Sequence, residues 1–323
     1  MRGRTWLRPL FLILFLCASS LTSDFLFAQR LVTQEERACH LLEQGKVEKA
    51  IALLDNELKI NPDNLNAQLY MAIAQYLKKD KEGAFKKFEK IEKEVDRMTG
   101  ASRPFGDLEM FTQMGMERKA ELLFSKERRG LLYFCLGLTL REKKDFKNAE
   151  KKFKQALKQK YDERATRLQL FDVSIKLKDL KSASRHLSEL KKTAEEDVVL
   201  AFLEGYLKYR GGNMDEAVAV FGRIASTCLD AKKNLALLYY NRGDYPKAIE
   251  IWEEILVEHP EDKGSQINIG RSYFHLGDSE KAEEYFTRAG VKIAPERYSP
   301  KKVPLIYEIV LKEVKFDLMC RAK

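Results

Sequence analysis

The pattern of apolar positions predicts a chain built from pairs of short helices. In the first helix of a pair, apolar residues stand three and four positions apart, as at Leu235, Ala236 and Tyr239, which places them on one face. A short turn follows, in which Gly or Lys precedes Asp or Asn in six of seven pairs. Gly suits the left-handed conformation that ends a helix, and Asp or Asn caps the next helix by accepting backbone N–H bonds. We therefore expect a helix–turn–helix unit, with Pro260 and Pro295 ending two of the second helices.

These units form an internal repeat. An alanine in the second helix recurs at intervals of 34, 65, 34, 34, 31 and 34 residues. Twelve residues before it the side chain is small in six of seven units, and four residues after it the side chain is large and apolar in all seven. We expect the small residue to let the two helices approach closely and the large one to fill the space beneath the next unit. The recurring alanines are Ala50, Ala84, Ala149, Ala183, Ala217, Ala248 and Ala282.

At these positions the sequence resembles the tetratricopeptide repeat (TPR) family, whose 34-residue unit is a helix–turn–helix with small, small and aromatic residues at this spacing. The match is fullest in the last two units, at residues 232–260 and 266–295, and the unit around Ala183 departs from it at Phe171 and Ser174. The resemblance implies an all-α fold, a right-handed α-solenoid of about seven repeats. It also implies a role in binding other proteins.

Two irregularities break the repeat. The interval of 65 leaves surplus residues that contain the helix breaker 99–106, followed by a Met-rich helical pattern that serves either as a docking surface or as packing against its neighbours. After Pro304 the apolar residues keep helical spacing as far as Val314, which predicts a helix that caps the exposed face of the last repeat. The predicted segments are a signal at 1–28, repeats one and two at 29–96, a helical insertion at 97–128, repeats three to seven at 129–295 and a capping helix at 296–323.

The first 28 residues have the pattern of an export signal. Three arginines within residues 1–8 precede an uninterrupted apolar run at 10–16, and small residues follow. Cleavage after Ser20 fits the small-residue rule better, whereas cleavage after Ala28, which we favour, gives a cleaner junction with the polar chain that follows. The pattern predicts an exported protein of the periplasm or cell envelope. The alternative is a membrane-tethered adaptor, because residues 6–23 are nearly long enough to span a bilayer as an uncleaved anchor.

Composition changes this picture only a little. The chain has 323 residues, 45% of them apolar and 33% charged, which is enough apolar material for a sizeable core. The net charge is +9, of which the three arginines and one aspartate of the predicted signal contribute +2. Much of the remaining positive charge alternates with Glu on second helices, as at 86–93, a pattern typical of a solvated, salt-bridged face. Nucleic-acid binding is therefore the less favoured interpretation of the basic charge.

The sequence contains no evident catalytic constellation. Its four histidines fall in different units, so a triad or a metal site would require distant repeats to converge. The usual phosphate-binding, zinc-protease and nucleophile-elbow motifs are absent from it. The four cysteines beyond residue 28 have no paired spacing and are expected to be mostly isolated thiols. We predict a non-enzymatic protein without a cofactor or a bound metal.

The predicted partner site follows from the resemblance, which implies that first helices line the concave side of the solenoid. The inward columns lie fifteen, eleven, eight and seven residues before each recurring alanine. In the last three units they hold aromatic rings with Arg and Lys between them and no carboxylate, which suits an extended peptide with acidic and apolar residues. The alternative is that several of these aromatics pack between adjacent first helices. The predicted contacts are Tyr206, Tyr209, Arg210, Lys233, Tyr240, Asn241, Arg271 and Phe274.

Overall fold

The computed structural model describes residues 33–99, 124–194, 197–291, 300 and 302–306. Those residues contain fourteen α-helices and no strand. They belong to two compact units, one holding the described residues up to Phe124 and the other those from Ser125 onward. In the described part of the chain, no helix combines the length and the apolar character needed to cross a membrane.

The first unit contains four of these helices and the second unit contains ten. The helices of the first unit are α1 (Gln34–Glu43), α2 (Val47–Ile60), α3 (Leu65–Leu77) and α4 (Lys81–Thr99). The helices of the second unit are α5 (Lys126–Glu142), α6 (Phe146–Lys158), α7 (Glu163–Lys176), α8 (Leu180–Lys191), α9 (Val198–Arg210), α10 (Met214–Ile224), α11 (Leu229–Arg242), α12 (Tyr245–Glu258), α13 (Lys263–His275) and α14 (Ser279–Arg288).

Each odd-numbered helix packs against the helix that follows it, so the fourteen helices form seven pairs. Within each unit, the second helix of one pair also packs against the first helix of the next pair. This is the nearest-neighbour stacking of a solenoid, in which each repeat buries the apolar face of the one before it. The predicted all-α solenoid of seven helix–turn–helix repeats is confirmed.

The turn inside each pair requires a left-handed backbone. All seven predicted turn positions have a positive φ, between 62° and 85°. Gly occupies four of them, but Lys79, Lys144 and Lys178 occupy the other three, where a side chain costs about 1 kcal/mol or more. The aspartate after each of these lysines caps the next helix; Asp179 Oδ1, for example, accepts a hydrogen bond of 3.0 Å from the Ser182 backbone N–H. Capping at the following residue therefore compensates part of the backbone strain.

The close approach of paired helices explains the columns of small and large residues. A Cβ atom added at Gly137 would lie 2.5 Å from the ring of Phe153, and one added at Gly205 would lie 2.9 Å from the ring of Phe221. In each case the glycine stands twelve residues before the recurring alanine and the phenylalanine four residues after it. The aromatic ring therefore fills the space that the missing side chain leaves.

The predicted segment boundaries need several corrections. Helix α4 continues to Thr99 because the first breaker, Gly100, comes only after it, and α5 begins at Lys126, so both ends of the predicted insertion at 97–128 belong to repeat helices. Residues 302–306 are not helical, although the capping helix was expected to include them. The predicted signal, the Met-rich pattern and residues 307–323 lie outside the described residues.

One cysteine departs from the expectation of isolated thiols. Cys39, which is fully buried in α1, is disulfide-bonded, whereas Cys135 and Cys228 are free. Wide spacing along the chain excludes a local disulfide framework, but it carries no information about cysteines that folding brings together from distant positions. Burial raises the pKa of the Cys135 thiol, so this free cysteine is an unreactive part of the core.

We expect the close approach at Gly137 to be essential for stability. A methyl group at this position would overlap the Phe153 ring, so Gly137→Ala should lower the free energy of unfolding by about 1–3 kcal/mol through overpacking. The measurement is urea unfolding followed by circular dichroism. Gly222→Ala is the matched control, because that glycine is also helical but has no atom within 4 Å of an added Cβ. This control should raise stability by about 0.5–1 kcal/mol, and equal effects of the two substitutions would contradict the packing assignment.

Candidate functional site

Helix α11 carries two asparagines on one face. Asn234 and Asn241 are seven residues apart, which is close to two helical turns, so their side chains project in nearly the same direction. Asparagine is a poor helix former, because its amide competes with the backbone for hydrogen bonds. Two asparagines in register within a largely buried helix therefore indicate a role other than helix formation.

Both asparagines bind the backbone of a later part of the chain. Asn234 Nδ2 donates to the carbonyl oxygen of Ile306 at 2.9 Å, and the Ile306 N–H donates back to Asn234 Oδ1 at 2.7 Å. Asn241 forms the same two hydrogen bonds with Val303, at 2.8 Å and 2.7 Å. Each amide thus pairs with both backbone groups of one residue, as two residues do in an antiparallel β-ladder.

A third bond and several apolar contacts complete this site. The Tyr240 hydroxyl donates to the carbonyl oxygen of Pro300 at 2.5 Å. Leu305 is only 7% exposed and joins the core cluster that contains Tyr240, while Val303 and Ile306 pack against that cluster. We call Pro300 together with residues 302–306 the tail, and we call Asn234, Tyr240 and Asn241 the tail site. The tail site belongs entirely to the second unit.

The surroundings of Tyr240 hold its hydroxyl in the donor form. Its ring centroid lies 5.3 Å from that of Tyr245, 6.0 Å from that of Trp252 and 5.7 Å from that of His275. Burial among these groups raises the pKa of Tyr240 to about 12, against the opposing effect of the Arg271 charge. The hydroxyl therefore stays protonated at neutral pH and can donate to a peptide carbonyl.

Three of the predicted contacts lie together on α9. The ring centroids of Tyr206 and Tyr209 are 6.4 Å apart. The Arg210 guanidinium lies 5.9 Å from the centroid of the Tyr206 ring and donates a hydrogen bond of 3.3 Å to its hydroxyl. Arg210 is exposed and Tyr209 is half-buried, so both can contact a ligand, whereas Tyr206 is mostly buried beneath them.

The other predicted cations are engaged within the chain. Lys233 Nζ lies 2.6 Å from Asp262 Oδ1, which connects α11 to the cap of α13. Burial acts to raise the pKa of Asp262, but the hydrogen bonds from Lys233 and Ser265 outweigh it and lower that pKa. Arg271 donates to the side-chain oxygen of Asn268 at 2.7 Å on α13.

Phe274, the remaining predicted contact, is half-buried on α13. Its ring centroid lies 5.8 Å from that of His275, the ring that also contacts Tyr240.

Sequence reasoning named two of the three residues of the tail site. Tyr240 and Asn241 were among the predicted contacts, but Asn234 was not, because its position fourteen residues before the recurring alanine was not counted among the inward columns. The available signal was the repeated asparagine two turns apart on an otherwise apolar face. In the structure, Tyr240 and Asn241 both bind the tail. Tyr206, Tyr209 and Arg210 lie together on α9, and Lys233 forms an ion pair with Asp262.

Comparison with known proteins agrees with this architecture. A family model described as tetratricopeptide repeat matches residues 36–97 and 233–296. The photosystem I assembly protein Ycf3 of Prochlorococcus marinus (strain MIT 9211) is 32% identical over 107 residues, which cover 29% of this chain and 62% of that protein. The chain thus spans less than two thirds of the length of this curated relative.

Solved structures show the same fold. A tetratricopeptide repeat protein from Parabacteroides merdae ATCC 43184 superposes with a TM-score of 0.56 at 14% identity, over 82% of this chain and 94% of that one. The APC/C hetero-tetramer Cut9-Hcn1 gives a TM-score of 0.52 at 14% identity, over 88% of this chain and 52% of the matched one. The class is therefore an α-solenoid of helix–turn–helix repeats. Residues 36–97 and 233–296 match the tetratricopeptide repeat family, and the fold is that of a tetratricopeptide repeat protein.

We expect the ion pair at Lys233 to stabilise the stack of the last two repeats in a pH-dependent manner. The lowered pKa of Asp262 means that its contribution is present above the unfolded pKa of about 3.9 and is lost as the pH falls through the folded value. Lys233→Met should therefore destabilise the protein at pH 7 by about 1–2 kcal/mol, and by less at pH 3. Urea unfolding at the two pH values measures the difference.

The control for this prediction is Lys281→Met. Lys281 Nζ lies 3.6 Å from Asp278 Oδ2, but its side chain is 55% exposed, so this substitution should change stability little at either pH. A destabilisation by Lys233→Met that is equally large at pH 7 and pH 3 would show that lost packing, and not the ion pair, is responsible.

Proposed function

We propose that the protein is a non-catalytic interaction scaffold of the cell envelope, which binds an extended segment of another protein. The proposed binding face consists of the tail site on α11 and the neighbouring predicted contacts on α9 and α13. One observation carries this proposal: the tail site on this face already holds a peptide segment, the tail, through five hydrogen bonds and a buried leucine. A surface that binds one peptide segment has the groups needed to bind another.

The chemistry of the face supports recognition of a backbone and of apolar side chains. Its polar groups at the tail are two neutral amides and a protonated phenol, which suit peptide groups. Lys233 is paired with Asp262, so the exposed Arg210 is the cation best placed to meet an acidic residue of the partner. The expected ligand is therefore chiefly apolar and extended, with an acidic residue near α9 where it has one.

Two features support an extracytoplasmic location. The pattern of residues 1–28 is that of an export signal, and the disulfide at Cys39 fits an oxidising compartment, where such bonds form and persist. The similar Ycf3 is named as an assembly protein, and tetratricopeptide repeats generally act in protein interaction. We extend this to a role in holding or assembling a partner at the envelope.

We expect substitutions on the binding face to weaken partner capture without affecting the fold. Tyr209→Ala combined with Arg271→Glu should reduce severalfold the amount of partner recovered from an envelope extract, because one change removes an aromatic surface and the other reverses a charge. Helix content and Tm should stay near the wild-type values. The matched control is Val257→Ala with Lys247→Glu on the exposed side of α12, which should leave capture unchanged. Equal capture by both double variants would refute the proposed face.

N-terminal sequencing of the protein from fractionated cells tests the location. A chain beginning at Leu21 or Gln29 in the soluble envelope fraction is the expected result. Recovery of residues 1–20 on a membrane-bound protein would instead establish the tethered adaptor, in which the N-terminal segment is a retained anchor. Recovery of the protein in the cytoplasm would refute both locations.

A further inference from the structure

We propose that the tail is an internal ligand that competes with the partner for the tail site. We further infer that the site selects extended, proline-containing apolar peptides. This inference rests on the proposed function, because it concerns the ligand and the regulation of the same face. It predicts that the partner binds only after the tail has left, and that the partner segment resembles the sequence Val-Pro-Leu-Ile of residues 303–306.

The spacing of the two asparagines matches a particular peptide conformation. Seven residues of helix separate Asn234 from Asn241, a rise of about 10.5 Å. The two tail residues that they bind, Val303 and Ile306, are three apart. Three residues of polyproline II rise about 9.3 Å and complete one turn, so they return to the same face. In a flat β-strand, residues three apart would face opposite sides, which argues that the site selects the polyproline II spacing.

Pro304, between the two bound residues, reinforces this selection. Proline restricts φ to about −65° and disfavours the helical conformation at the residue before it. It also lacks a backbone N–H, but this is no loss here, because the site takes its hydrogen bonds from Val303 and Ile306. The proline therefore lowers the conformational entropy that the segment loses on binding.

The burial pattern of the tail separates recognition of the backbone from recognition of side chains. The hydrogen bonds from the asparagines go to main-chain atoms of Val303 and Ile306, so these bonds impose little sequence requirement. Leu305 is buried in the core cluster, and Val303 and Ile306 are half-buried, whereas Lys302 and Pro304 are exposed. A competing peptide therefore needs a large aliphatic side chain at the position of Leu305 and tolerates any residue at the position of Lys302.

The tail is held weakly enough to be displaced. Five hydrogen bonds and one buried leucine provide a free energy of the same order as the conformational entropy lost by ordering this short segment. Its attachment to the same chain gives it an effective local concentration on the order of 1 mM. With a peptide Kd on the order of 0.1 mM, this concentration weakens the binding of a competitor about tenfold.

The experiment uses a heptapeptide with an amidated C-terminus, Pro-Lys-Lys-Val-Pro-Leu-Ile, which copies residues 300–306. A fluorescent label at its N-terminus allows anisotropy titration with the full chain. Wild type should bind it about tenfold more weakly than the L305D variant, whose own tail can no longer occupy the buried position. The matched control K302D alters an exposed tail residue and should bind like wild type. The same heptapeptide with Asp in place of its leucine should bind none of these proteins.

Variants of the site itself test the backbone readout. N234A with N241A should lose binding of the heptapeptide even when combined with L305D, while N213A should not, since Asn213 caps α10 without a side-chain hydrogen bond. Alanine favours helix more than asparagine does, so circular dichroism should show an intact fold. If the double substitution leaves the affinity for the heptapeptide unchanged, the two asparagines do not recognise the peptide backbone and this part of the inference is overturned.

The remaining outcomes separate this inference from the proposed function. Equal heptapeptide affinity in wild type and L305D would overturn competition by the tail, although capture of the partner by the same face would still stand. A dimer that L305D dissociates would also overturn it, because the tail would then occupy the site of a second copy. L305D could bind the heptapeptide tightly while the double variant Tyr209→Ala with Arg271→Glu captures as much partner as wild type. That result would support the tail as an internal ligand but refute the proposed function.

Discussion

The close approach of the two helices in each repeat is the constraint on which the rest of the structure depends. In six of the seven repeats it places a small residue on the first helix beneath a large apolar residue on the second, as at Gly137 and Phe153. With that distance set, the second helix of each pair packs against the first helix of the next pair within the same unit. This stacking brings side chains of successive repeats together, as Lys233 of α11 and Asp262 before α13 show. A binding face arises from this stacking without any dedicated domain.

The last two repeats use this stacking for polar contacts as well as for packing. Lys233 of α11 reaches Asp262, the residue that caps α13, and so couples the end of one repeat to the beginning of the next. Tyr240 is enclosed by rings from α12 and α13, which fix its hydroxyl where the tail passes. These contacts tie the geometry of the tail site to the stacking of its neighbours, so the site exists only in the assembled solenoid.

The fold could be predicted from the sequence because its determinants are local and recur. Small, large and turn positions repeat within a few tens of residues, and each has a direct physical meaning. The site could be predicted only in part. Tyr240 and Asn241 fall in inward columns, but the bond partners of Asn234 and Lys233 lie 72 and 29 residues away, where no periodicity connects them. The helical spacing after Pro304 also suggested a cap for the last repeat, whereas residues 302–306 bind α11 of the sixth pair.

Because the polar groups of the tail site are neutral, the state with the tail bound and the state with the tail released are close in free energy. A buried ion pair that loses one partner leaves a charge whose desolvation is not compensated. Such a pair would strongly favour the state in which the tail is bound. An amide that loses a peptide partner exchanges those hydrogen bonds for bonds to water at a small net cost. Asn234, fully buried with the tail in place, thus gains solvation when the tail leaves. The basic charge of the whole chain is accordingly a poor guide to its ligand, since binding depends on backbone spacing and on one aliphatic side chain.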